Sequence, residues 1–181
     1  MNTFFTIGHS TRTIAEFVGL LGESRVDFVV DVRSMPRSRT NPQFNGQTLP
    51  ETLMPWQIGY EHVAALGGLR GKLQNVDPSL NGYWQVRSFR NYADYALTEP
   101  FRVGMARLGA LGAVHRCVIM CAEAVWWRCH RRIIADYLLG QGAQVMHILG
   151  PSQADDATLT PGAVVRRDGS VIYPVQSLDQ K

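Results

Sequence analysis

Short apolar runs alternate with amphipathic segments in the first part of the chain. The run TFFTIG, which ends at Gly8, predicts a buried strand. Thr13 and Glu16 then match a capping box, and the apolar face of a helix follows until Gly22 weakens it. A second apolar run, DFVVDV from Asp27, predicts a strand buried on both faces, as in a parallel sheet. The pattern is that of a strand, helix, strand unit.

The middle of the chain is more irregular. The second strand is followed by RSMPRSRTNPQFNG, which is longer than most connections within a compact domain. A short helix is expected in LPETLMPWQIG and a short strand in YEHV. The segments FRNYADYAL and EPFRVGMARLGAL predict two helices, with Pro100 where a first helical turn accepts proline.

The last third returns to a regular alternation. The run CVIMC predicts a strand, AVWWRCHRRIIADYLLGQG predicts the clearest helix of the chain, and AQVMHIL predicts another strand. In VVRRDGSVIYP an Asp-Gly pair stands between alternating residues, which predicts a β-hairpin at about residues 163–174.

This alternation predicts an α/β fold, a mostly parallel sheet flanked by helices with a C-terminal β-hairpin, in a single domain over residues 1–181. Ligands of such sheets bind beyond the carboxyl ends of the strands. Three polar clusters follow predicted strands directly: GHSTR, RSMPRSR and CAE. We therefore expect the functional site where these clusters lie.

Composition narrows the function classes only a little. With 45% hydrophobic and 18% charged residues, the chain is expected to be globular. A net charge of +3 is too small to indicate nucleic-acid binding by itself. Sixteen of the eighteen basic residues are arginines, which fits either anion recognition or the codon composition of the source genome. Residues 33–50 contain three arginines and no acid.

The sequence also predicts a location. The start MNTFFTIGHS lacks the basic residues and the sustained apolar core of a signal peptide, and no apolar run is long enough to cross a membrane. The three cysteines lie close together in one segment, which suits a reducing compartment. We expect a cytoplasmic protein that does not bind membranes.

The segment CVIMCAEAVWWRCHRR concentrates the candidate chemistry. Cys121 falls where a strand passes into the predicted helix, and a helix N-terminus favours a thiolate. The structural alternative is a small apolar core residue. On the projected helix, Cys129 and His130 face inward, whereas Arg128, Arg131 and Arg132 lie on the opposite side.

His130 and Glu123 each have a structural and a functional interpretation. His130 is either a core histidine that bonds a carbonyl or a proton carrier. Glu123, in the first turn of the predicted helix, either caps backbone N–H groups or orients the guanidinium of Arg33 or Arg12.

A metal held by Cys121, Cys129 or His130 is a further alternative, because thiolates and imidazoles bind zinc and iron. The spacing argues against it. Along an ideal helix Cys121 and Cys129 would be separated by about two turns, roughly 12 Å, so only a break at the end of the strand would bring them to one ion. No cofactor is predicted.

The motifs TIGHS, DVRSMPRS, LGG and CAEAVWWRCHRRIIADYL together resemble domain-of-unknown-function family 488, a bacterial and archaeal family of small cytosolic proteins. The similarity extends over about residues 6–148. The family pattern implies importance for these positions, without a catalytic assignment: Gly8, His9, Ser10, Asp31, Val32, Arg33, Gly67, Gly68, Cys121, Glu123, Cys129, His130 and Arg131.

A fainter similarity is to the layout of rhodanese and cysteine-phosphatase domains, which hold a thiolate in a backbone-lined loop at a helix N-terminus. This chain departs from that layout twice. The loop after Cys121 has no glycine, and the next arginine, Arg128, comes one position later than the phosphatase spacing requires.

The leading hypothesis is a small enzyme that acts on an anionic, phosphate-bearing substrate with Cys121 as the thiol. His130 or His9 would move protons, and Glu123 would orient a cation or a histidine. The anion would be bound by Ser10, Arg12, Arg33, Arg37, Arg39 and Arg131.

Two alternatives remain open. One is a non-catalytic nucleic-acid-binding module in which Trp56, Trp84 or Trp127 stacks on bases. The other is a protein with a structural metal site. The expected partner is accordingly an anionic small molecule or a nucleic acid.

Overall fold

The computed structural model describes residues 2–175. Its main sheet has six strands in the order β3-β2-β4-β1-β5-β6. The strands are β1 (Thr3–Gly8), β2 (Phe28–Asp31), β3 (Gly59–His62), β4 (Cys117–Cys121), β5 (Gln144–Gly150) and β6 (Gln153–Asp156). The first five are parallel, and β6 pairs antiparallel with β5 at one edge.

Five α-helices flank this sheet: α1 (Ile14–Glu23), α2 (Leu49–Leu53), α3 (Arg87–Tyr95), α4 (Glu99–Val114) and α5 (Arg131–Gly140). A separate antiparallel pair near the C-terminus consists of β7 (Val164–Val165) and β8 (Val171–Ile172). The predicted α/β fold with a mostly parallel sheet and a C-terminal hairpin is confirmed. The capping box of α1 is present too, since Thr13 Oγ1 accepts from the Glu16 N–H and Glu16 accepts from the Thr13 N–H.

The central strands of the sheet are buried on both faces, and residues of β1, β2, β4 and β5 divide between two different cores. On one face, Cys117, Ile119 and Cys121 of β4 pack with residues of α3, α4 and α5. On the other, Val118 and Met120 pack with residues of α1 and α2. Cys121 therefore points toward α5, because side chains alternate along a strand.

The helix predicted from residue 124 onward is wrong over its first part. A 3₁₀ turn spans Trp126–Arg128, Cys129 is extended with φ −125° and ψ 147°, and α5 begins only at Arg131. Apolar spacing alone cannot distinguish a short turn packed on the core from the first turn of a helix. The inward helical face projected for Cys129 and His130 therefore does not exist.

One strand escaped prediction. β6 has the sequence QADD, is exposed along its whole length, and carries none of the apolar alternation by which strands are recognised. Within residues 2–175, no helix is both long and apolar enough to cross a membrane.

Candidate functional site

Three loops meet at the carboxyl edge of the sheet because β4 lies between β2 and β1. The register pairs Gly8 with Cys121 and Asp31 with Met120, so the strands end at the same level. Backbone bonds continue past the strand ends, from the His9 N–H to the Cys121 carbonyl at 2.8 Å and from the Val32 N–H to the Met120 carbonyl at 3.0 Å. The polar clusters GHSTR, RSMPRSR and CAE are thereby brought together.

A cavity of about 640 Å³ opens between these loops. Cys121, Cys129 and His130 lie along its wall, and apolar surface comes from Met35, Leu69 and Phe89. The other side chains and backbone groups around it are His9, Arg33, Ser34, Arg37, Ser38, Gly68, Ser88, Ala122, Glu123 and Arg128. A space of this size suits a small organic molecule.

Two thiols lie in contact at the base of the cavity. The sulfur atoms of Cys121 and Cys129 are 2.7 Å apart, and the side chains are 3% and 5% exposed. The separation of two helical turns expected along an ideal helix does not occur, because the chain is not helical between Cys121 and Cys129 except for one 3₁₀ turn. The extended conformation of Cys129 returns its side chain to the end of β4 before α5 begins.

The guanidinium of Arg131 is buried against these thiols, and the expected outward position of this residue is wrong. Its Nε donates to Cys129 Sγ at 3.3 Å and its Nη2 donates to the Glu123 carbonyl at 2.6 Å. Arg131 is 1% exposed, and no carboxylate within residues 2–175 forms an ion pair with it. A buried charge requires a counter-charge, and the sulfur of Cys129 is in position to provide one.

The two thiols have opposite acidities. Burial raises the pKa of both, but for Cys129 the S–H of Cys121, the neighbouring His130 and the charge of Arg131 together lower the pKa well below its usual range. The pKa of Cys121 is raised well above its usual range, by burial and then by Cys129. Helix α5 starts two residues after Cys129, not directly after Cys121. The effect of a helix N-terminus on a thiolate therefore applies to Cys129.

A backbone carbonyl directly after β2 orients His130. Its Nε2–H donates to the Val32 carbonyl at 2.9 Å, which directs Nδ1 toward Cys129 Sγ at 3.5 Å. Tyr92 packs edge-on against the imidazole, with the ring centroids 5.0 Å apart. This geometry permits a thiolate and imidazolium pair, since Nδ1 faces the sulfur in either protonation state.

His9 is held neutral and uses both ring nitrogens inside the protein. Its Nδ1–H donates to the Ser10 carbonyl at 2.9 Å, which leaves Nε2 to accept from Arg33 Nη1 at 3.2 Å. The ring stacks on Phe44 with a centroid distance of 4.3 Å. Burial, with a smaller contribution from Arg33, lowers the pKa of His9 to about 4. In this arrangement His9 supports Arg33.

Each guanidinium nitrogen of Arg33 has a partner within the protein. It donates through Nε and Nη2 to the Asp31 carboxylate, and through Nη2 to the Phe44 carbonyl at 2.7 Å. The Tyr60 hydroxyl donates to Asp31 Oδ2 at 2.7 Å. Asp31 is 0% exposed and Arg33 is 6% exposed. This network joins β2, β3 and the long loop after β2.

The remaining arginines of the predicted anion site divide into two groups. Arg12 donates to the carbonyls of Gly8 and Leu149 and lies in a different depression. Arg37 is exposed at the cavity rim, whereas Arg39 is exposed outside the cavity. Ser10 adopts a positive φ of 49° and lies beside the main cavity.

Glu123 contributes its backbone more than its carboxylate. The side chain is exposed and is not in the first turn of a helix, as was expected, because α5 starts eight residues later. Its carbonyl accepts from Arg131 and faces the Cys121 thiol at 4.0 Å. A β-carbon on Gly8 would overlap this carbonyl, so glycine is needed where the loop crosses the end of β1.

The structure adds residues that the sequence pattern did not assign to the site. Arg128 is exposed at the cavity rim, and Ser88 and Phe89 reach the cavity from α3. The Cys-His-Arg tripeptide was a usable signal for Cys129, since a cysteine next to a histidine and an arginine lies near two cations. Nothing in the local pattern around Ser88 indicates this contact.

Two observations bear on the alternative functions. Trp84 is 6% exposed and packs on Phe89 and Tyr173, so it is not available for stacking on a base, whereas Trp56 and Trp127 are exposed. Over residues 2–175, no group of three or more His, Cys, Asp or Glu side chains is arranged to hold a metal ion.

Comparison with known proteins identifies a family. The model of the family described as "Domain of unknown function DUF488" matches residues 13–138, more than two thirds of the chain. No curated protein and no solved structure matches the chain significantly. The matched residues include β2, β4, the paired cysteines, His130 and Arg131. The protein belongs to the DUF488 family.

Proposed function

We propose that this protein is a thiol enzyme in which the thiolate of Cys129 attacks a small anionic substrate bound in the cavity. The observation that carries the proposal is the burial of Arg131 against Cys129 without a carboxylate partner in residues 2–175. The initial hypothesis of a thiol acting on an anion is retained, with Cys129 in place of Cys121.

Charge balance supports the thiolate. Moving an unpaired guanidinium out of water costs several kcal/mol, on the order of the penalty for any isolated buried ion. A thiolate at Cys129 offsets that cost directly, since Nε of Arg131 points at its sulfur at 3.3 Å. The thiolate is the nucleophilic form of cysteine, so the same pairing stabilises the ion and prepares it for reaction.

His130 is the group best situated to manage protons. The Val32 carbonyl holds Nε2–H, and Nδ1 faces Cys129 Sγ at 3.5 Å. A proton on Nδ1 would neutralise the thiolate electrostatically and could pass to a leaving group beside the sulfur. His9, which bonds Ser10 and Arg33 through both nitrogens, serves as support in this mechanism.

Arg37 and Arg128 are the groups best suited to attract an anion. Both are exposed at the cavity rim, and neither forms an ion pair within residues 2–175. Ser34 and Ser38 add hydroxyl groups on the same side. Arg12, Arg33 and Arg131 are occupied with protein acceptors, so we assign them to positioning the loops and the thiolate.

A phosphatase-like cradle is not part of the proposal. Such a cradle directs several backbone N–H groups at the phosphate oxygens. Here the loop between β4 and α5 turns the Glu123 carbonyl toward the thiol and the guanidinium. A carbonyl in that position repels phosphate, so attack on an electrophilic centre other than phosphorus is favoured.

The test is the rate of alkylation by iodoacetamide as a function of pH, with mass spectrometry to locate the modified residue. We expect modification of Cys129 with a midpoint well below the reference value of about 8.5. Cys129→Ser should abolish the reaction, whereas Cys117→Ser should leave it unchanged because Cys117 is buried at the start of β4. Modification only after unfolding would overturn the proposal.

A further inference from the structure

The paired sulfur atoms at the base of the cavity suggest what kind of substrate a Cys129 thiolate would take. Cys121 Sγ and Cys129 Sγ are 2.7 Å apart, so two free thiols lie in direct contact. A thiolate that reacts here has a second thiol within immediate reach.

The two thiols have different surroundings, which gives them different roles. Cys129 faces His130 Nδ1 at 3.5 Å and Arg131 Nε at 3.3 Å, both of which stabilise a negative sulfur. Cys121 faces Cys129 and the carbonyl of Glu123, both of which favour the protonated thiol. The Cys129 sulfur is therefore suited to attack a substrate first, and the Cys121 thiol is suited to react in a second step.

The cavity limits the electrophile by size and charge. Its volume of about 640 Å³ is far larger than a peroxide needs, and its rim carries the guanidinium groups of Arg37 and Arg128. Met35, Leu69 and Phe89 supply apolar surface for the body of a larger molecule. A carboxylate-bearing organic disulfide fits all three features.

We propose that Cys129 and Cys121 act as a dithiol that reduces the disulfide of an anionic, low-molecular-weight thiol compound. The inference rests on the function proposed above and names its substrate class. Cys121, which the first proposal leaves without a role, becomes the resolving thiol.

The exchange balances in two steps. The Cys129 thiolate attacks one sulfur of R–S–S–R, so that a Cys129–S–S–R bond forms and RS⁻ leaves. Cys121 then attacks Cys129 Sγ, its proton passes to the departing second RS⁻, and the Cys121–Cys129 disulfide forms. The dithiol loses two electrons, and one substrate disulfide becomes two thiol products. An excess of free thiol reverses both steps.

Glutathione disulfide is a suitable probe, since it is a disulfide that carries several carboxylates. The reduced protein is mixed with it, and free glutathione and protein mass are followed together. Wild type and Cys117→Ser should each release about two equivalents per chain and form an internal disulfide. Cys121→Ser should stop at a mixed disulfide on Cys129 after about one equivalent, and Cys129→Ser should release none.

Several outcomes separate this inference from the proposed function. If Cys129 is alkylated by iodoacetamide at neutral pH but wild type only accumulates the mixed disulfide, the dithiol inference is wrong and the thiol function stands. Faster oxidation of the pair by cumene hydroperoxide than by glutathione disulfide would also overturn the substrate class. Failure of alkylation itself would remove both proposals. Cys121→Ala replaces Cys121→Ser if the serine variant does not fold, as judged by circular dichroism.

Discussion

Gly68 packs its α-carbon against the imidazole of His130, so closely that a β-carbon would overlap the ring at Nδ1. Nδ1 is the atom that faces the Cys129 sulfur at 3.5 Å. The second glycine of the LGG motif thus determines where His130 lies, although it is more than sixty positions away in the sequence. Any residue other than glycine at position 68 would therefore displace the His130 ring.

Gly68→Ala should therefore move the imidazole and weaken its contact with Cys129. We expect a loss of about 1–3 kcal/mol in the free energy of unfolding, as for other overpacked sites, and a higher alkylation midpoint for Cys129. Urea unfolding and the pH dependence of iodoacetamide modification measure the two effects. Gly71→Ala is the matched control, because a β-carbon there meets open space. If Gly68→Ala and Gly71→Ala had the same free energy of unfolding and the same alkylation midpoint, the packing argument would be contradicted.

Arg131→Met should raise the pKa of Cys129, because it removes the cation whose Nε lies 3.3 Å from the sulfur. An opposite charge at this range changes a pKa by about 1–3 units, so the alkylation midpoint should rise by at least about one unit. Arg132→Met is the control, since that guanidinium donates to Thr160 at 2.9 Å. A midpoint that rises equally in both variants would show that the specific contact is unimportant.

Arg37→Gln with Arg128→Gln should reduce the preference of the cavity for anions. Iodoacetate and iodoacetamide react by the same chemistry, but only iodoacetate is an anion. The rate with iodoacetate divided by the rate with iodoacetamide therefore reports the electrostatic potential at Cys129. We expect a several-fold fall in that ratio in the double variant, and a similar fall in wild type when salt is added. Arg39→Gln, exposed outside the cavity, should leave the ratio unchanged. If the ratio is the same in wild type, in the double variant and in Arg39→Gln, Arg37 and Arg128 do not attract the anion.

Arg33→Gln should lower the free energy of unfolding. The Asp31 carboxylate is 0% exposed, and Arg33 supplies its charge partner through Nε and Nη2. Breaking a buried ion pair by removal of one member costs about 3–5 kcal/mol, which chemical unfolding would detect. Arg37→Gln, in the same loop but exposed, should cost little. If Arg33→Gln were as stable as wild type, Arg33 would be free to serve as the substrate clamp that the sequence suggested.

Stability should fall as the pH is lowered from about 6.5 toward 4. Burial lowers the pKa of His9 and of His147 to about 4 in the folded protein, from the ordinary histidine value of about 6.5. The unfolded chain binds more protons in this window, so its population rises as pH falls. Above pH 6.5 both states are neutral at these positions. Below it, each histidine lowers the free energy of unfolding by up to about 1.4 kcal/mol per pH unit, until the folded histidine is protonated near pH 4.

His147→Gln checks this assignment, because glutamine can still bond Thr6, whose hydroxyl lies 2.7 Å from His147 Nδ1. The variant should lose part of the difference in unfolding free energy between pH 7 and pH 5. Urea unfolding at both pH values supplies the comparison with wild type. An undiminished difference would mean that other groups cause the acid sensitivity.

The sequence by itself determined the order of most elements and the edge of the sheet where the site lies. Buried parallel strands appear as continuous apolar runs, and the capping box at Thr13 and Glu16 is a local hydrogen-bond pattern, so neither depends on the rest of the chain. The clusters GHSTR, RSMPRSR and CAE were assigned to strand ends for the same reason. Strand β6 was missed because an exposed polar strand has no such pattern.

Only the tertiary structure decided which groups meet within that site. The start of α5 at Arg131 depends on how Trp126–Arg128 pack, and this places Cys129, Cys121 and the Arg131 guanidinium in contact. Likewise, the Arg33 guanidinium is held by His9 and by the Phe44 carbonyl because the end of β1 and the long loop after β2 pack beside it. Contacts and desolvation determine whether a thiol ionises or an arginine is free to bind an anion, and both arise only when distant segments of the chain are packed together.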